Sequence, residues 1–273
     1  MTTFQAVILG IVQGLTEFLP ISSTAHLRVI PAFFGWADPG AAFTAVTQLG
    51  TLAAVIIFFA RDLWRIAITW GRSLVTPSLR ADPDARMGWY ILLGTLPIAV
   101  LGLLFESQID TVARDLRLIA GTLIGLGLVL WLADRAATQR KETENLTLRD
   151  GLVFGFAQAL ALVPGVSRSG ATITAGLLMG YSRAAAARYS FLLSVPAVLA
   201  AGLFNIGDAT AGGGPGAVPT LIATVLAFVS GYASIAWLLR FVSRNNYTVF
   251  VVYRIGLGVL ILGLLAAGVL QPS

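Results

Sequence analysis

The chain has 273 residues, 57% of them apolar and 11% charged, with a mean hydropathy of +0.84. Soluble domains carry about 25% charged residues, so this composition excludes a water-soluble globule or a disordered chain and points to an integral membrane protein. The net charge of +5, from 18 Lys+Arg against 13 Asp+Glu, falls between apolar runs, where it sets topology and is no nucleic-acid footprint. The absence of cysteine excludes disulfides, thiolate metal sites and a cysteine nucleophile.

The first apolar segment, Phe4 to Phe34, is broken at Leu19, Pro20, Ile21 and Ser22. Its pieces are too short to span a membrane, which takes about 20 apolar residues, so a re-entrant helix–break–helix hairpin is expected. With no cationic segment at Met1 to Thr3, no cleaved signal peptide is expected. Charge-free runs then predict crossings at Pro39–Ala60, Met87–Phe105 and Leu118–Ala133, with a loop from Arg61 to Arg86. A second interrupted segment, Leu152 to Gly180, breaks at Pro164 and Gly165. Three more crossings follow: Tyr189–Gly207, Ala209–Leu239 (spanning from about Val218, after a Gly/Pro loop over Gly212 to Pro219) and Ile255–Ser273. The expected fold class is an all-α polytopic membrane protein, a single domain over 1–273, with six transmembrane helices and two re-entrant hairpins.

The interrupted segments match at an offset of 145: Gly10 with Gly155, Gln13 with Gln158, Leu15 with Leu160, Ser22 with Ser167, Thr24 with Ser169, Gly35 with Gly180 and Trp36 with Tyr181. Repeats over about 1–145 and 146–273, each with one hairpin and three crossings, would be inverted relative to one another, with the broken helices meeting near the midplane. The loops Arg61–Arg86, Asp134–Asp150 and Arg240–Asn246 hold eleven Lys/Arg, while the opposite loops hold Arg114 and Arg117. The first set is therefore expected in the cytoplasm, and both termini outside.

Few ionisable groups fall at membrane depth: Glu17, His26 and Arg28 in the first hairpin, Arg168 in the second, and Arg183 and Arg188 near its exit. A charge in the bilayer costs at least about 2.5–3.5 kcal/mol, so such residues read as functional by default. Glu17 and Arg168 lead, with a structural ion pair as the plain alternative; Arg28, Arg183 and Arg188 suit snorkelling or helix ends better. Gln13 and Glu17 share a helix face, Pro20 stops the helix, and Ser22 or Ser23 can cap the next one, with Thr24 and His26 in its first turn. Pro164, Gly165, Val166, Ser167, Arg168, Ser169, Gly170, Ala171, Thr172 repeats the design with a guanidinium. Two helix N-termini and an arginine make an anion site best suited to phosphate. His26, the only histidine, stands beside a carboxylate and three hydroxyls, which favours acid–base work over the plain alternative of a packed residue.

The run Gln13 to His26 and the run Pro164 to Thr172, with its Ser167, Arg168, Ser169, Gly170 core, resemble the two signature motifs of the bacitracin-resistance type undecaprenyl-diphosphate phosphatases. The resemblance extends over the chain, including Gln48, Leu49, Gly50 and the Phe191 to Pro196 run. It implies a multi-pass enzyme of the bacterial inner membrane that hydrolyses a C55 polyprenyl diphosphate to the monophosphate, recycling the carrier for peptidoglycan and other wall polymers. The implied catalytic residues are Glu17, Ser23, His26 and Arg168, with Ser22, Thr24 and Ser167 on phosphate. Gln13, Ser169, Gly170 and Thr172 complete the expected substrate-binding set. Gln13 stands where many members have a second glutamate, which weakens a two-carboxylate metal site, and Ala25 stands where glycine is usual. The expected mechanism has Ser23 as nucleophile with His26 as general base or acid, or water oriented by Glu17 and His26, with a divalent cation, Mg or Ca, near Glu17. The partners expected are the polyprenyl diphosphate lipid and the membrane, with no nucleic acid; a homodimer is left open. The site is expected to open to the periplasm. A secondary transporter or flippase for an anion or lipid phosphate is the competing class, since broken helices in inverted repeats are its usual architecture.

Overall fold

The computed structural model describes residues 1–105, 115–204 and 216–272. Among them the secondary structure is helical, with no strand. The helices are α1 (Thr3–Phe18), α2 (Ser23–Phe34), α3 (Gly40–Phe58), α4 (Ala60–Val75), α5 (Pro83–Leu104), α6 (Leu116–Ala136), α7 (Leu148–Ala159), α8 (Arg168–Leu178), α9 (Arg183–Phe204), α10 (Ala217–Val242) and α11 (Thr248–Ala266). Six of these, α3, α5, α6, α9, α10 and α11, are long and apolar enough to cross a membrane, as the sequence predicts. Arg114, the far end of the fourth predicted span, the first half of the Gly212–Pro219 loop and Ser273 lie outside the described residues.

Side-chain caps start the helices where the sequence places them. Thr2 caps α1 in a box with Gln5, Asp82 caps α5 ahead of Pro83, Asp115 caps α6, and Thr147 caps α7 in a box with Asp150. Each satisfies N–H groups that have no partner within the helix.

Four boundaries differ from expectation. The fourth span begins at Arg183 instead of Tyr189, because Arg188, which bounds the charge-free run, lies inside α9. Arg61 to Arg86 is not all loop: α4 fills Ala60–Val75, its charged residues Arg61, Asp62, Arg65 and Arg72 recurring around an amphipathic helix that buries Ile66. The last span begins at Thr248 instead of Ile255, because Arg254, which bounds the charge-free run, lies inside α11 with no exposed surface. The second break is longer than Pro164–Gly165: after α7 one 3-10 turn covers Leu160–Leu162, and α8 starts only at Arg168.

The interrupted segments pack against the spanning helices of the opposite half of the chain. Helix α1 lies on α10 and α7 on α5, while α3 meets α10, α9 meets α5, and α6 pairs with α11. Glycine permits the closest of these approaches. A Cβ on Gly10 would stand 2.5 Å from Ala223 O, and one on Gly155 would overlap Gly94 O. The two breaks come into contact, Ser169 Oγ donating to Leu19 O at 3.1 Å.

Candidate active site

In both breaks a serine caps the second helix from a backbone conformation that L-residues rarely adopt. Ser22 has φ 73° and its hydroxyl accepts from Ala25 N–H at 3.3 Å; Ser167 has φ 71° and accepts from Gly170 N–H at 3.1 Å. Positive φ at a non-glycine costs about 1–3 kcal/mol and persists only where the surroundings hold it. The N–H groups of Ser23 and Thr24, and of Arg168 and Ser169, precede the first intrahelical bonds, which run from His26 N to Ser22 O and from Ala171 N to Ser167 O. Two positive helix ends with free donors therefore sit side by side.

Glu17, at the end of α1, joins the two breaks. Its Oε1 accepts from Arg168 Nη2 in a partly buried ion pair, and its Oε2 accepts from Ser23 Oγ at 2.6 Å and from Gln13 Nε2 at 2.8 Å. Ser169 Oγ crosses the same gap, donating to Leu19 O at 3.1 Å and lying 3.2 Å from Ser167 Oγ. A cavity of about 130 Å³ opens above this junction, lined by Glu17, Ser22, Ser23, Thr24, Ser167 and Arg168, with Gln48 from α3 and apolar walls including Ile98, Val163 and Val198.

Six expected residues thus meet at one cavity, and five stand apart from it. Gln13 is fully buried behind Glu17 and braces it; its Oε1 has no partner. Ser169 is turned to the first break. The N–H of Gly170 is taken by the Ser167 cap. Thr172 Oγ1 donates to Arg168 O at 2.8 Å and lies 2.5 Å from Ser190 Oγ, which ties α8 to α9. The geometry does not bring His26 to Ser23. Its Nδ1 is 2.7 Å from Ser22 O, so Nδ1 carries the proton, and its Nε2 is 2.7 Å from Tyr253 Oη. Both ring nitrogens are engaged away from the serine hydroxyl.

Arg28, Arg183 and Arg188 also lie outside the cavity, pairing with Asp38 at 3.3 Å, Asp134 at 2.6 Å and Asp62 at 2.6 Å. Three residues absent from the expected catalytic and substrate-binding set matter here. Gln48 lines the cavity, and its signal is a lone amide inside an apolar span. Arg254 contacts both breaks, and its signal is a charge between two apolar runs. Tyr253 holds His26, a partner 227 positions away, for which the sequence carries no signal.

The donor set does not suit a metal held by the protein alone. Among the described residues no three His, Cys, Asp or Glu side chains converge, Glu17 already accepts three hydrogen bonds, and Gln13 Oε1 is buried away from the cavity. What the cavity offers is donors for an oxyanion: a guanidinium, hydroxyls and helix N-termini.

The comparisons agree with this chemistry. The chain is 55% identical over 284 residues to "Undecaprenyl-diphosphatase 2" of Streptomyces avermitilis, covering 100% of this chain and 98% of that protein. It is 55% identical over 273 residues to "Undecaprenyl-diphosphatase" of Thermobifida fusca, covering 100% and 94%. It is 57% identical over 276 residues to "Undecaprenyl-diphosphatase" of Micrococcus luteus, covering 99% and 100%. Residues 6–260, which hold both breaks and the junction between them, match the family described as bacitracin resistance protein BacA, and the chain belongs to that family.

Proposed function

We propose that this protein hydrolyses undecaprenyl diphosphate to undecaprenyl phosphate and inorganic phosphate, and that the chemistry takes place in the cavity between the two breaks. The observation that carries the reading is Glu17, whose carboxylate holds the Ser23 hydroxyl and the Arg168 guanidinium at the mouth of two helix N-termini. Nucleophile, base and phosphate-binding cation are thereby within one diphosphate's reach.

The terminal phosphate lies against Arg168, the hydroxyls of Ser22, Thr24 and Ser167, and the free N–H groups. Capping uses a lone pair of Ser22 and leaves its O–H able to donate; the Ser167 O–H, which faces Ser169 Oγ at 3.2 Å, turns from it to reach the phosphate. Ser23 Oγ attacks the terminal phosphorus while Glu17 takes its proton; the phosphoanhydride bond breaks and undecaprenyl phosphate leaves. Glu17 loses that proton to solvent and takes another from a water as it attacks the phosphoserine; the Ser23 Oγ–P bond breaks, inorganic phosphate leaves, and Ser23 Oγ recovers its proton from Glu17. Charge on the transferring phosphoryl is met by donors fixed before the reaction. Glu17 replaces His26 in the base role because it, and not the imidazole, touches Ser23. A divalent cation, Mg or Ca, if bound, would be held by the diphosphate with Glu17 nearby and would neutralise phosphate charge.

The polyprenyl tail leaves the cavity past Val163. That residue also lines an open, almost wholly apolar groove of about 770 Å³ formed with Leu101, Phe156, Leu160 and Leu162, which faces where lipid would be. Both broken helices are proposed as re-entrant hairpins of an inverted repeat. Support comes from the matching caps of Ser22 and Ser167 and from the hairpin ends. Phe4 and Trp36 rings meet at 6.3 Å, and Lys141 N–H bonds Gly180 O at 3.0 Å, which supports each segment returning to the side it entered. The eleven-to-two distribution of loop Lys/Arg supports a periplasmic mouth in the bacterial inner membrane.

Phosphate release from undecaprenyl diphosphate by purified protein in detergent tests the reading, since no compartments remain for a transporter to work across. Multiple turnovers are expected. Binding of the lipid without phosphate release would favour a carrier and overturn it.

A further inference from the structure

We propose that Tyr253 and Arg254, adjacent on α11, are positioning residues that hold the backbone of both breaks and so set the geometry of Ser23 and Arg168. Arg254 has no exposed surface. Its Nε donates to Leu123 O at 3.1 Å, its Nη1 to Pro20 O at 3.0 Å, and its Nη2 to Thr122 O at 3.2 Å and to Gly165 O and Val166 O at 3.1 Å. Pro20 belongs to the first break and Gly165 and Val166 to the second, so one side chain is bonded to both.

Arg254 has no carboxylate partner among the described residues. A buried cation without a counter-charge is costly, and packing alone would be served by an apolar side chain of similar volume. What arginine adds is directed N–H donors in a rigid plane, which reach the break carbonyls of Pro20, Gly165 and Val166 as well as Thr122 O and Leu123 O of α6. Two glycines make room for it. A Cβ on Gly170, in the first turn of α8, would stand 2.9 Å from Nη1, and Gly127 on α6 faces the Arg254 Cβ.

Tyr253 acts on the first break through His26. The two rings stack with centroids 5.6 Å apart and planes at 6°, and the tyrosine hydroxyl donates to Nε2, which leaves the Nδ1 proton for Ser22 O. That carbonyl belongs to the residue held at φ 73°, next to Ser23. The relay therefore pins the strained residue that aims the proposed nucleophile, and the same α11 turn that supports Ser22 supports the segment leading to Ser167.

This inference rests on the proposed hydrolase reading only for its kinetic readout. The test compares Tyr253→Phe, Arg254→Lys and Arg254→Gln with wild type in two measurements: amide hydrogen exchange of peptides covering residues 20–26 and 164–171, and kcat and KM for undecaprenyl diphosphate per folded molecule. Tyr253→Phe keeps the ring and loses one hydroxyl, and is expected to speed exchange in 20–26 alone. Arg254→Lys is expected to speed exchange in both segments. In each, kcat should fall about tenfold or more, as small misplacements of reacting groups do, with KM changed less; Arg254→Gln should fall furthest. Wild-type exchange and kcat in Tyr253→Phe and Arg254→Lys would overturn the proposal. So would a lower melting temperature with kcat per folded molecule unchanged, which is the mark of a merely structural role. A wild type that releases no phosphate would remove the hydrolase reading and leave the exchange measurement to decide the positioning role.

Discussion

Glu17 and Arg168 form an ion pair across 151 positions of sequence, the carboxylate buried and the guanidinium partly exposed to the cavity, each at the end of a different broken helix. Such a pair couples the two breaks: removing Arg168 leaves the buried Glu17 carboxylate uncompensated, at a cost of up to about 3–5 kcal/mol. The guanidinium also has donors to spare, so it can hold Glu17 and turn a second N–H toward a phosphate oxygen.

Arg168→Lys is therefore expected to behave as a severe change. An ammonium is a point charge without the planar fork and cannot serve carboxylate and phosphate in the same geometry. We expect kcat/KM to fall at least about tenfold, equivalent to roughly 1.4 kcal/mol, in a phosphate-release assay. Near-normal activity would reduce Arg168 to a tether between the breaks.

Gly155→Ala tests the packing that brings the breaks together. The added methyl would overlap Gly94 O, a backbone atom that cannot swing aside, so α7 must move off α5. Overpacking of this kind costs about 1–3 kcal/mol. A lower melting temperature in detergent is expected, together with reduced turnover because α7 leads into the second break. An unchanged melting temperature would mean that the two helices are not in backbone contact.

The orientation is open to direct chemistry, because the chain has no cysteine. Single cysteines at Gln271 and Glu144, both exposed, can be labelled in whole cells with a membrane-impermeant thiol reagent. Labelling is expected at Gln271, on the periplasmic side, and not at Glu144. The reverse pattern would invert the topology.

The parts of this architecture that the sequence displays are those governed by local rules. Six spans show as charge-free runs because lipid tolerates little else, and Glu17 and Arg168 stand out because charge at membrane depth is costly. The same rule conceals Arg254: a charge taken as the end of a span cannot also be seen as its interior. Helix α4 is hidden for a related reason, since Arg61, Asp62, Arg65 and Arg72 make its window polar although they recur around a helix. The distinction between Ser22, Thr24 and Ser167, which line the cavity, and Ser169 and Thr172, which bond backbone and Ser190, depends on rotation about each helix axis and on a neighbour 18 or more positions away. His26 shows the limit most sharply. Its sequence neighbours are Ser23 and Thr24, yet its ring is turned to Tyr253.

That displacement of His26 bears on the central claim, that Ser23 attacks with Glu17 as its base. The most direct measurement is a rapid-quench experiment with undecaprenyl diphosphate labelled in its terminal phosphate, run on wild type, Ser23→Ala and His26→Ala. Label should appear on Ser23 of wild type before free phosphate reaches its steady rate. It should be absent from Ser23→Ala, whose kcat should fall by at least about a thousandfold. His26→Ala should still form the phosphoserine, more slowly, because it loosens Ser22 without removing the base. A Ser23→Ala enzyme that turns over within about a hundredfold of wild type, with no phosphoserine in the wild type, would contradict the account and assign the attack to water.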